Sequence, residues 1–231
     1  MLKLARSEEE QVGNRLMVWL GGEGAARVFR HDEEAILLER VEDDLSLAGM
    51  VGAGQDDEAS RILCGVAATL HRERPGPWPD LRPLETWFRV LEERAPQMGG
   101  VMATSLETAR HLFREPRDVR PLHGDIHHGN VLHSRERSWL AIDPKGLIGE
   151  RGFDYANIFC NPDLDVAAAP GRLARQSHIV AEAAGLDRTR LLQWMLAYAG
   201  LSAAWHLEDG EETQVRRTLT VAALAAAELN G

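Results

Sequence analysis

The pattern of apolar and polar residues predicts three strands and one helix in the first forty residues, and mainly helices in the remainder. A strand is predicted at residues 1–5. A helix follows from Ser7 to about Leu20, because Ser7 precedes three acidic residues as an N-cap. Two further strands are predicted on either side of a polar turn, at residues 26–30 and 35–39. The chain therefore starts as strand, helix, strand, strand.

After this start, apolar side chains recur mainly at helical spacing. Residues 58–72 predict a long helix, and shorter helices are expected at 84–94 and 106–114. A pair of strands is predicted near Val131 and Ile142, with turn residues between them. The last sixty residues predict three more helices, at residues 172–184, 188–207 and 212–229.

One strongly apolar stretch, residues 191–205, could be mistaken for a membrane span. A spanning helix needs about 20 predominantly apolar residues. This stretch contains Gln193 and Ser202, and it leads into the acidic residues 208–212. We therefore expect a helix buried in the protein core and no membrane partner.

Composition and charge narrow the class of protein. The 231 residues are 44% hydrophobic and 27% charged, as in an ordinary globular protein. A formal net charge of -10 disfavours nucleic acid and anionic membranes and favours cationic partners, although such a charge also serves solubility alone. Cys64 and Cys160 are the only cysteines, which fits a cytoplasmic protein better than a disulfide scaffold.

The candidate chemistry is concentrated in residues 121–130 and 142–146. Asp125 and Asn130 are five residues apart, and Asp143 follows after a predicted strand pair. Phosphoryl transfer needs a carboxylate that accepts a hydroxyl proton, together with amide and carboxylate oxygens that hold magnesium. An isolated aspartate in this position would be interpreted as a turn residue. The combination favours Asp125 as the catalytic base, with Asn130 and Asp143 as metal ligands.

The histidines around this motif allow a different hypothesis. His123, His127, His128 and His133, together with Asp125, could form a zinc cluster of the kind that metal-dependent hydrolases use. No matching distal set of histidines and acids is apparent in the sequence. The zinc interpretation also gives no role to Asn130 or to Asp143.

A lysine on the first predicted strand adds to the phosphoryl-transfer interpretation. In kinases, a strand lysine contacts the phosphates of the nucleotide and pairs with a glutamate on the following helix. Lys3 is the candidate lysine, and Glu8, Glu9 and Glu10 are all possible partners. The sequence does not choose among these three.

The motif from His123 to Asn130, followed by Ile142 and Asp143, resembles the aminoglycoside phosphotransferase family, whose members are relatives of protein kinases. A narrower resemblance points to the streptomycin 6-kinase and hydroxyurea phosphotransferase branch. The segments that carry this narrower resemblance are residues 35–40, 69–72, 143–157 and 203–210.

The resemblance implies an α+β, protein-kinase-like fold with two lobes. Family members carry two strands and a phosphate-covering loop before the lysine strand, and this chain begins at that strand. We therefore expect a truncated β-rich N-lobe for nucleotide binding at residues 1–41. A mainly helical C-lobe for catalysis and substrate binding is expected at residues 42–231, with the seam near Val41 to Asp44.

The resemblance also implies ATP and Mg²⁺ as cofactors, and it gives Asp125, Asn130 and Asp143 the roles stated above. Lys3 would contact the phosphates. The remaining implied roles are Glu39 and Val41 in the hinge that holds adenine, Lys145 near the transferred phosphate, and His123 and Asp154 as structural support.

The expected substrate is a small cationic molecule, most simply an aminoglycoside such as streptomycin. Glu150, Asp163 and Glu208 are candidate acids for binding it. Three hypotheses stay open on the sequence: an ATP-dependent phosphotransferase, a degenerate kinase-like binding protein with little turnover, suggested by the missing loop, and a zinc hydrolase.

Overall fold

The computed structural model describes residues 1–41 and 45–231. Its N-terminal part has the predicted order of strand, helix, strand, strand, and that prediction is confirmed. The elements are β1 (Leu2–Leu4), α1 (Glu8–Leu20), β2 (Val28–His31) and β3 (Ala35–Leu38). The three strands pair antiparallel in the order β1-β3-β2, which places β3 at the centre of the sheet.

Helix α1 begins and ends where its sequence predicts. The side-chain oxygen of Ser7 accepts a hydrogen bond from the backbone N–H of Glu10, and the Glu10 side chain accepts one from the Ser7 backbone, which forms a capping box. Gly21 ends the helix in the left-handed conformation. Leu16 and Leu20 are buried in the core, so α1 packs firmly beneath the sheet.

The rest of the chain is mainly helical, and the three predicted C-terminal helices are confirmed. The long helices are α3 (Asp56–Leu70), α4 (Arg89–Met98), α5 (Gly100–Arg114), α8 (Arg172–Ala184), α9 (Arg188–Glu208) and α10 (Glu212–Asn230). The predicted helix at residues 84–94 begins as a 3₁₀ turn at Leu84–Phe88 and continues as α4. The chain also forms short elements that were not predicted: α2 (Leu47–Gly52), α6 (Phe153–Ala156), α7 (Leu164–Ala167) and a 3₁₀ turn at Asn157–Cys160.

Helix α9 forms the centre of this helical part and packs against α5 and α10. Its side chains from Leu191 to Leu201 are almost all buried, as expected for a core helix. None of the helices in the described ranges is long and apolar enough to cross a membrane. Cys64 and Cys160 are buried and unpaired, and burial raises the pKa of each thiol to about 12.

Five short strands lie between the helices and carry the candidate motif. They are β4 (Arg82–Pro83), β5 (Val119–Leu122), β6 (Val131–Ser134), β7 (Ser138–Ala141) and β8 (Leu147–Glu150). Strands β4, β8 and β5 form one small sheet, and β6 pairs with β7 as the predicted hairpin. The loop between β5 and β6 holds Asp125, and the segment between β7 and β8 holds Asp143.

The β6–β7 hairpin is joined directly to the N-terminal part. The N–H of Ala26 donates to the carbonyl of Ala141 at 3.0 Å, and the N–H of Ala141 donates to the carbonyl of Gly24 at 2.9 Å. Arg137, at the hairpin turn, donates to the Glu39 carboxylate and to the carbonyl of Gly22. These contacts hold the first sheet next to the candidate site.

Part of the predicted seam between the lobes, residues 42–44, lies outside the described residues. Val41 packs against the hydrophobic core.

Candidate active site

A buried carboxylate holds the loop that carries Asp125 through hydrogen bonds. Asp154, on α6, accepts the backbone N–H groups of His123 at 2.9 Å and of Gly124 at 2.7 Å. Gly124 has a φ of 84°, and a Cβ there would lie 2.9 Å from the Leu147 side chain. The loop therefore needs glycine at this position, and its backbone turns so that the next side chain, Asp125, points into the open space.

Asp154 itself is 1% exposed and is also bonded to a histidine. The Nε2 atom of His71, on α3, lies 2.8 Å from its Oδ2 atom. An unpaired buried carboxylate would cost several kcal/mol, so these donors are what make the charge tolerable in the interior. This geometry fits the supporting role that the family resemblance implies for Asp154.

His123 is buried, and its burial lowers the pKa of the imidazole. Its Nε2 atom lies 2.9 Å from the carbonyl oxygen of Ile142, to which it can only donate. Its Nδ1 atom accepts the N–H of Asp125 at 3.2 Å. The neutral ring with its proton on Nε2 satisfies both contacts, so His123 ties the Asp125 loop to the strand before Asp143.

The carboxylate of Asp125 is held by two side-chain amides. Asn130 donates through Nδ2 to Oδ2 at 3.0 Å and to the Asp125 backbone carbonyl at 3.0 Å. Asn157 donates through Nδ2 to Oδ1 at 2.8 Å. The sequence analysis missed Asn157, although it lies inside the segment 143–157 that carried the narrower resemblance.

The expected metal ligands, Asn130 and Asp143, flank the β6–β7 hairpin, where the N–H of Ile142 donates to the carbonyl of Asn130 at 2.9 Å. Because the nitrogen of the Asn130 amide faces Asp125, its oxygen is the atom available to a cation. Asp143 has a positive φ of 60°, and its side chain is 43% exposed. An amide oxygen and a carboxylate are ligands that Mg²⁺ accepts, with phosphate oxygens and water completing its shell. The residues present therefore fit this ion.

Lys3 pairs with Asp143, and not with a glutamate of α1. Burial alone would raise the pKa of Asp143, but the hydrogen bond and the charge of Lys3 outweigh it, and the pKa lies below its usual value. The three glutamates have other partners: Glu8 pairs with Arg82 at 2.9 Å, Glu9 with Lys145 at 3.6 Å, and Glu10 accepts the backbone N–H groups of Arg6 and Ser7.

The segment after Asp143 packs directly on α1. A Cβ at Gly13, within the helix, would lie 2.0 Å from the carbonyl oxygen of Pro144. The N–H of Lys145 donates to the carbonyl of His123 at 2.7 Å, so the same segment also touches the Asp125 loop. Helix α1, Asp143 and Asp125 are thus fixed relative to one another.

The predicted hinge residues lie at the end of β3. The N–H of Glu39 donates to the carbonyl of Arg27 at 2.9 Å, and its carboxylate accepts from Arg137 and from the N–H of Arg27. The Glu39 N–H is therefore engaged within the sheet, and the adenine-binding role of Glu39 and Val41 stays a prediction. Val41 follows two residues later, on the core side.

Asp125 opens on one side into a cleft of about 470 Å³ whose walls include three aromatic side chains, Trp87, Tyr198 and Trp205. We call it the aromatic cleft. The rings of Trp87 and Trp205 meet edge to face with centroids 5.2 Å apart. Lys145 also lines this cleft, next to the site.

On its other side Asp125 opens into a pocket of about 420 Å³, which we call the acidic pocket. Asp163 and Asp165 line it with Asn157 and Asn161, and Tyr198 borders both it and the aromatic cleft. Asp163 accepts the N–H groups of Asp165 and Val166 and so caps α7. Of the acids proposed for substrate binding, Asp163 lies in this pocket.

The other two proposed acids are placed differently. Glu150 is 4% exposed and accepts from Arg190 at 2.9 and 2.6 Å. The expectation that it contacts a substrate is wrong, because this pair is buried beneath the helices. Glu208 lies at the end of α9, where it is 3.6 Å from Arg94.

The histidines of the motif do not assemble a zinc site. Over residues 1–41 and 45–231, no three His, Cys, Asp or Glu side chains are grouped so that they could hold a metal ion. His127 accepts the N–H of Gly129 at 3.0 Å through Nδ1. His128 points into the interior, where burial lowers the pKa of its ring to about 4.

Comparison with known proteins identifies the family to which the chain is similar. Residues 1–210 match the family described as aminoglycoside/hydroxyurea antibiotic resistance kinase. The streptomycin 3''-kinase of Klebsiella pneumoniae is 51% identical over 215 residues, which cover 91% of this chain and 80% of that protein. The streptomycin 6-kinase of Streptomyces griseus is 34% identical over 228 residues, which cover 90% of this chain and 70% of that protein.

Solved structures show the fold. An aminoglycoside phosphotransferase APH(4)-Ia mutant, in a ternary complex with AMP-PNP and hygromycin B, superposes with a TM-score of 0.69 at 13% identity, over 97% of this chain and 85% of that one. The Plasmodium vivax ethanolamine kinase gives 0.65 at 15% identity, over 97% and 74%. The predicted α+β, protein-kinase-like fold is confirmed.

Proposed function

Because the chain belongs to the aminoglycoside/hydroxyurea antibiotic resistance kinase family, we propose that it transfers the terminal phosphate of ATP to a hydroxyl of a small cationic molecule. Streptomycin is the leading acceptor, since relatives named above act on it. The 3''-hydroxyl is favoured over the 6-hydroxyl, because identity to the 3''-kinase is 51% and to that 6-kinase 34%.

The observation that carries this proposal is the position of Asp125. Its carboxylate is oriented by Asn130 and Asn157, and it lies where the aromatic cleft and the acidic pocket meet. A hydroxyl bound at this junction could place its proton against a carboxylate oxygen. Asp125 would accept that proton as the oxygen takes the phosphate, which is the role of a general base.

The charged groups on the other side of the loop suit a nucleotide. Lys3 would exchange its contact with Asp143 for a phosphate oxygen, and Lys145 would lie near the transferred group. Asn130 and Asp143 would hold Mg²⁺, which supplies positive charge against the phosphate oxygens when it is bound. In this proposal residues 1–41 form the nucleotide lobe, and residues 42–231 hold the catalytic loop and the acceptor.

The aromatic cleft and the acidic pocket would bind different parts of the acceptor. The aromatic rings of Trp87 and Trp205 can stack on the apolar face of a sugar or cyclitol ring. Asp163, in the acidic pocket, can pair with a guanidinium or ammonium group of the same molecule. A net charge of -10 adds a field that attracts such cations.

The test is a phosphotransfer assay with ATP, Mg²⁺ and streptomycin. Mass spectrometry should detect one added phosphate, and NMR of the product should place it on the 3'' position. In Asp125→Asn we expect the rate to fall by about 10²- to 10⁴-fold, the usual contribution of a general base. The matched control is Asp57→Asn, because Asp57 pairs with Arg175 on the far side of the helical part.

The outcomes separate the hypotheses. Streptomycin binding without phosphorylation would favour a binding protein of this fold. Loss of only a few-fold in Asp125→Asn would contradict the assignment of the base. Activity that returns with Zn²⁺ but not with Mg²⁺ after chelation would contradict the metal site.

A further inference from the structure

The Asn157–Asn161 turn lies beside Asp125, and so far only the contact of Asn157 with the carboxylate has entered the proposed function. Asn157 is 5% exposed, and its Nδ2 atom donates to Oδ1 of Asp125 at 2.8 Å. The other carboxylate oxygen, Oδ2, accepts from Asn130 at 3.0 Å. Each oxygen of Asp125 is therefore fixed by a different amide, one from the loop itself and one from the turn after α6.

Asn161 determines which end of the Asn157 amide faces Asp125. The Nδ2 atom of Asn161 donates to Oδ1 of Asn157 at 2.8 Å and to the Asn157 backbone carbonyl at 3.0 Å. An amide whose oxygen accepts from Asn161 must present its nitrogen to Asp125. The two asparagines thus form a relay of hydrogen bonds that runs in one direction, and it ends on the carboxylate.

We propose that Asn157, oriented by Asn161, is a positioning residue that holds the Asp125 carboxylate where it accepts the proton of the acceptor hydroxyl. This inference rests on the proposed phosphotransferase function. A carboxylate with one anchor can turn about its own bond, whereas anchors on both oxygens fix its plane. Asn161 also lines the acidic pocket, so one wall of the acceptor site sets the geometry of the base.

The first test is kinetic. In Asn157→Ala we expect kcat to fall by about 10- to 100-fold, the cost of a base misplaced by up to about 1 Å, with both KM values within about twofold. In Asn161→Ala the loss should be smaller and of the same kind. The control is Gln176→Ala, since Gln176 is 1% exposed and donates to the Asp57 carboxylate at the same 2.8 Å, and neither residue lines the aromatic cleft or the acidic pocket.

The variant Asn157→Asp provides a second readout. It places a carboxylate against Asp125, and the like charge of the neighbour raises the pKa of one of the two carboxyl groups. We expect its rate to keep rising at pH values where the wild-type rate is already constant. A residue with only a structural role would lower the melting temperature and leave the shape of this profile unchanged.

The third readout does not need turnover. In a crystal structure of Asn157→Ala, we expect the Asp125 carboxylate to rotate or to occupy two orientations, while Gln176→Ala keeps it in place. An unmoved carboxylate would overturn the inference, even if no acceptor is phosphorylated. An active wild type, with equal kcat in Asn157→Ala and Gln176→Ala, would also overturn it. An inactive wild type would instead count against the proposed function.

Discussion

The loop that carries Asp125 has a buried side and an open side, and they are built from different interactions. On the buried side, Asp154 and His123 hold the loop through hydrogen bonds between groups that are almost fully enclosed. On the open side, Lys3 with Asp143 and Lys145 with Glu9 form ion pairs whose side chains are about one quarter to two fifths exposed.

The buried hydrogen bonds are already in place before a ligand binds, whereas a ligand can replace the partners in the exposed ion pairs. Buried hydrogen bonds are costly to break, because each orphaned group would lack water as an alternative partner. Exposed ion pairs contribute little to stability, because water can substitute for either partner, and a phosphate can substitute for the carboxylate. Thus the position of Asp125 belongs to the fold, whereas in the proposed function the charges of the open side exchange their partners for a nucleotide.

The largest expected effect comes from removing the buried anchor. Asp154→Ala leaves the N–H groups of His123 and Gly124 enclosed without an acceptor, so the free energy of unfolding should fall by about 3 kcal/mol. Chemical denaturation measures this loss. Glu107→Ala, which breaks an exposed pair with Arg110, should cost less than about 1 kcal/mol. Equal losses in the two variants would remove the distinction between the two sides.

A smaller effect is expected where α1 meets the open side. In Gly13→Ala the new methyl group would collide with the Pro144 carbonyl, and relieving the clash should cost about 2 kcal/mol. The control is Gly65→Ala in α3, where nothing lies within 4 Å of the added Cβ. That change should stabilise the helix by about 0.5–1 kcal/mol. A Gly13 variant as stable as the control would show that α1 is not seated on this segment.

The smallest effect on the fold is expected for Lys3→Met. Removing this exposed cation should change the free energy of unfolding by less than about 1 kcal/mol. It should nevertheless raise KM for ATP by about tenfold, as expected for losing one phosphate contact worth about 1.4 kcal/mol. Denaturation and initial-rate kinetics together test this split. A large loss of stability with an unchanged KM would contradict the view that Lys3 serves ligand binding more than the fold.

The pH dependence of the same variant sharpens the comparison. The pKa of Asp143 is lowered in the folded protein, chiefly because the hydrogen bond and charge of Lys3 outweigh the effect of burial. Such a group stabilises the fold above its unfolded pKa, and the contribution is lost as pH falls through the folded value. The small difference between wild type and Lys3→Met should therefore disappear in strong acid. A difference that grows there would contradict the pairing.

The local sequence pattern predicted much of this structure. Helix α1 carries its own capping signals, and the C-terminal helices have clear apolar periodicity, so both were predicted with nearly correct bounds. The spacing of Asp125, Asn130 and Asp143 likewise brought together residues that the fold places around one loop. In these cases the residues that carry the sequence pattern are the same residues that form the helix or the loop.

Contacts between distant residues could not be predicted in this way. Lys3 meets Asp143 across 140 positions, and Asn157 meets Asp125 across 32. Glu150 gave no sign of its burial, because its partner, Arg190, lies on α9, 40 positions away. The walls of the aromatic cleft come from the 3₁₀ turn at Leu84–Phe88 and from α9, so no local motif could have signalled them.

The close approach of Gly13 to Pro144 has an evolutionary consequence. Every amino-acid replacement at this codon adds at least one carbon atom, so a change of the proposed acceptor specificity cannot pass through that position without first displacing the helix. Thr86, on the aromatic cleft, and Gln214, on the acidic pocket, instead line the spaces that the proposed acceptor would occupy. Selection for a broader range of acceptors should therefore accumulate changes along the walls of these two spaces, while the contact beneath Asp143 stays as it is.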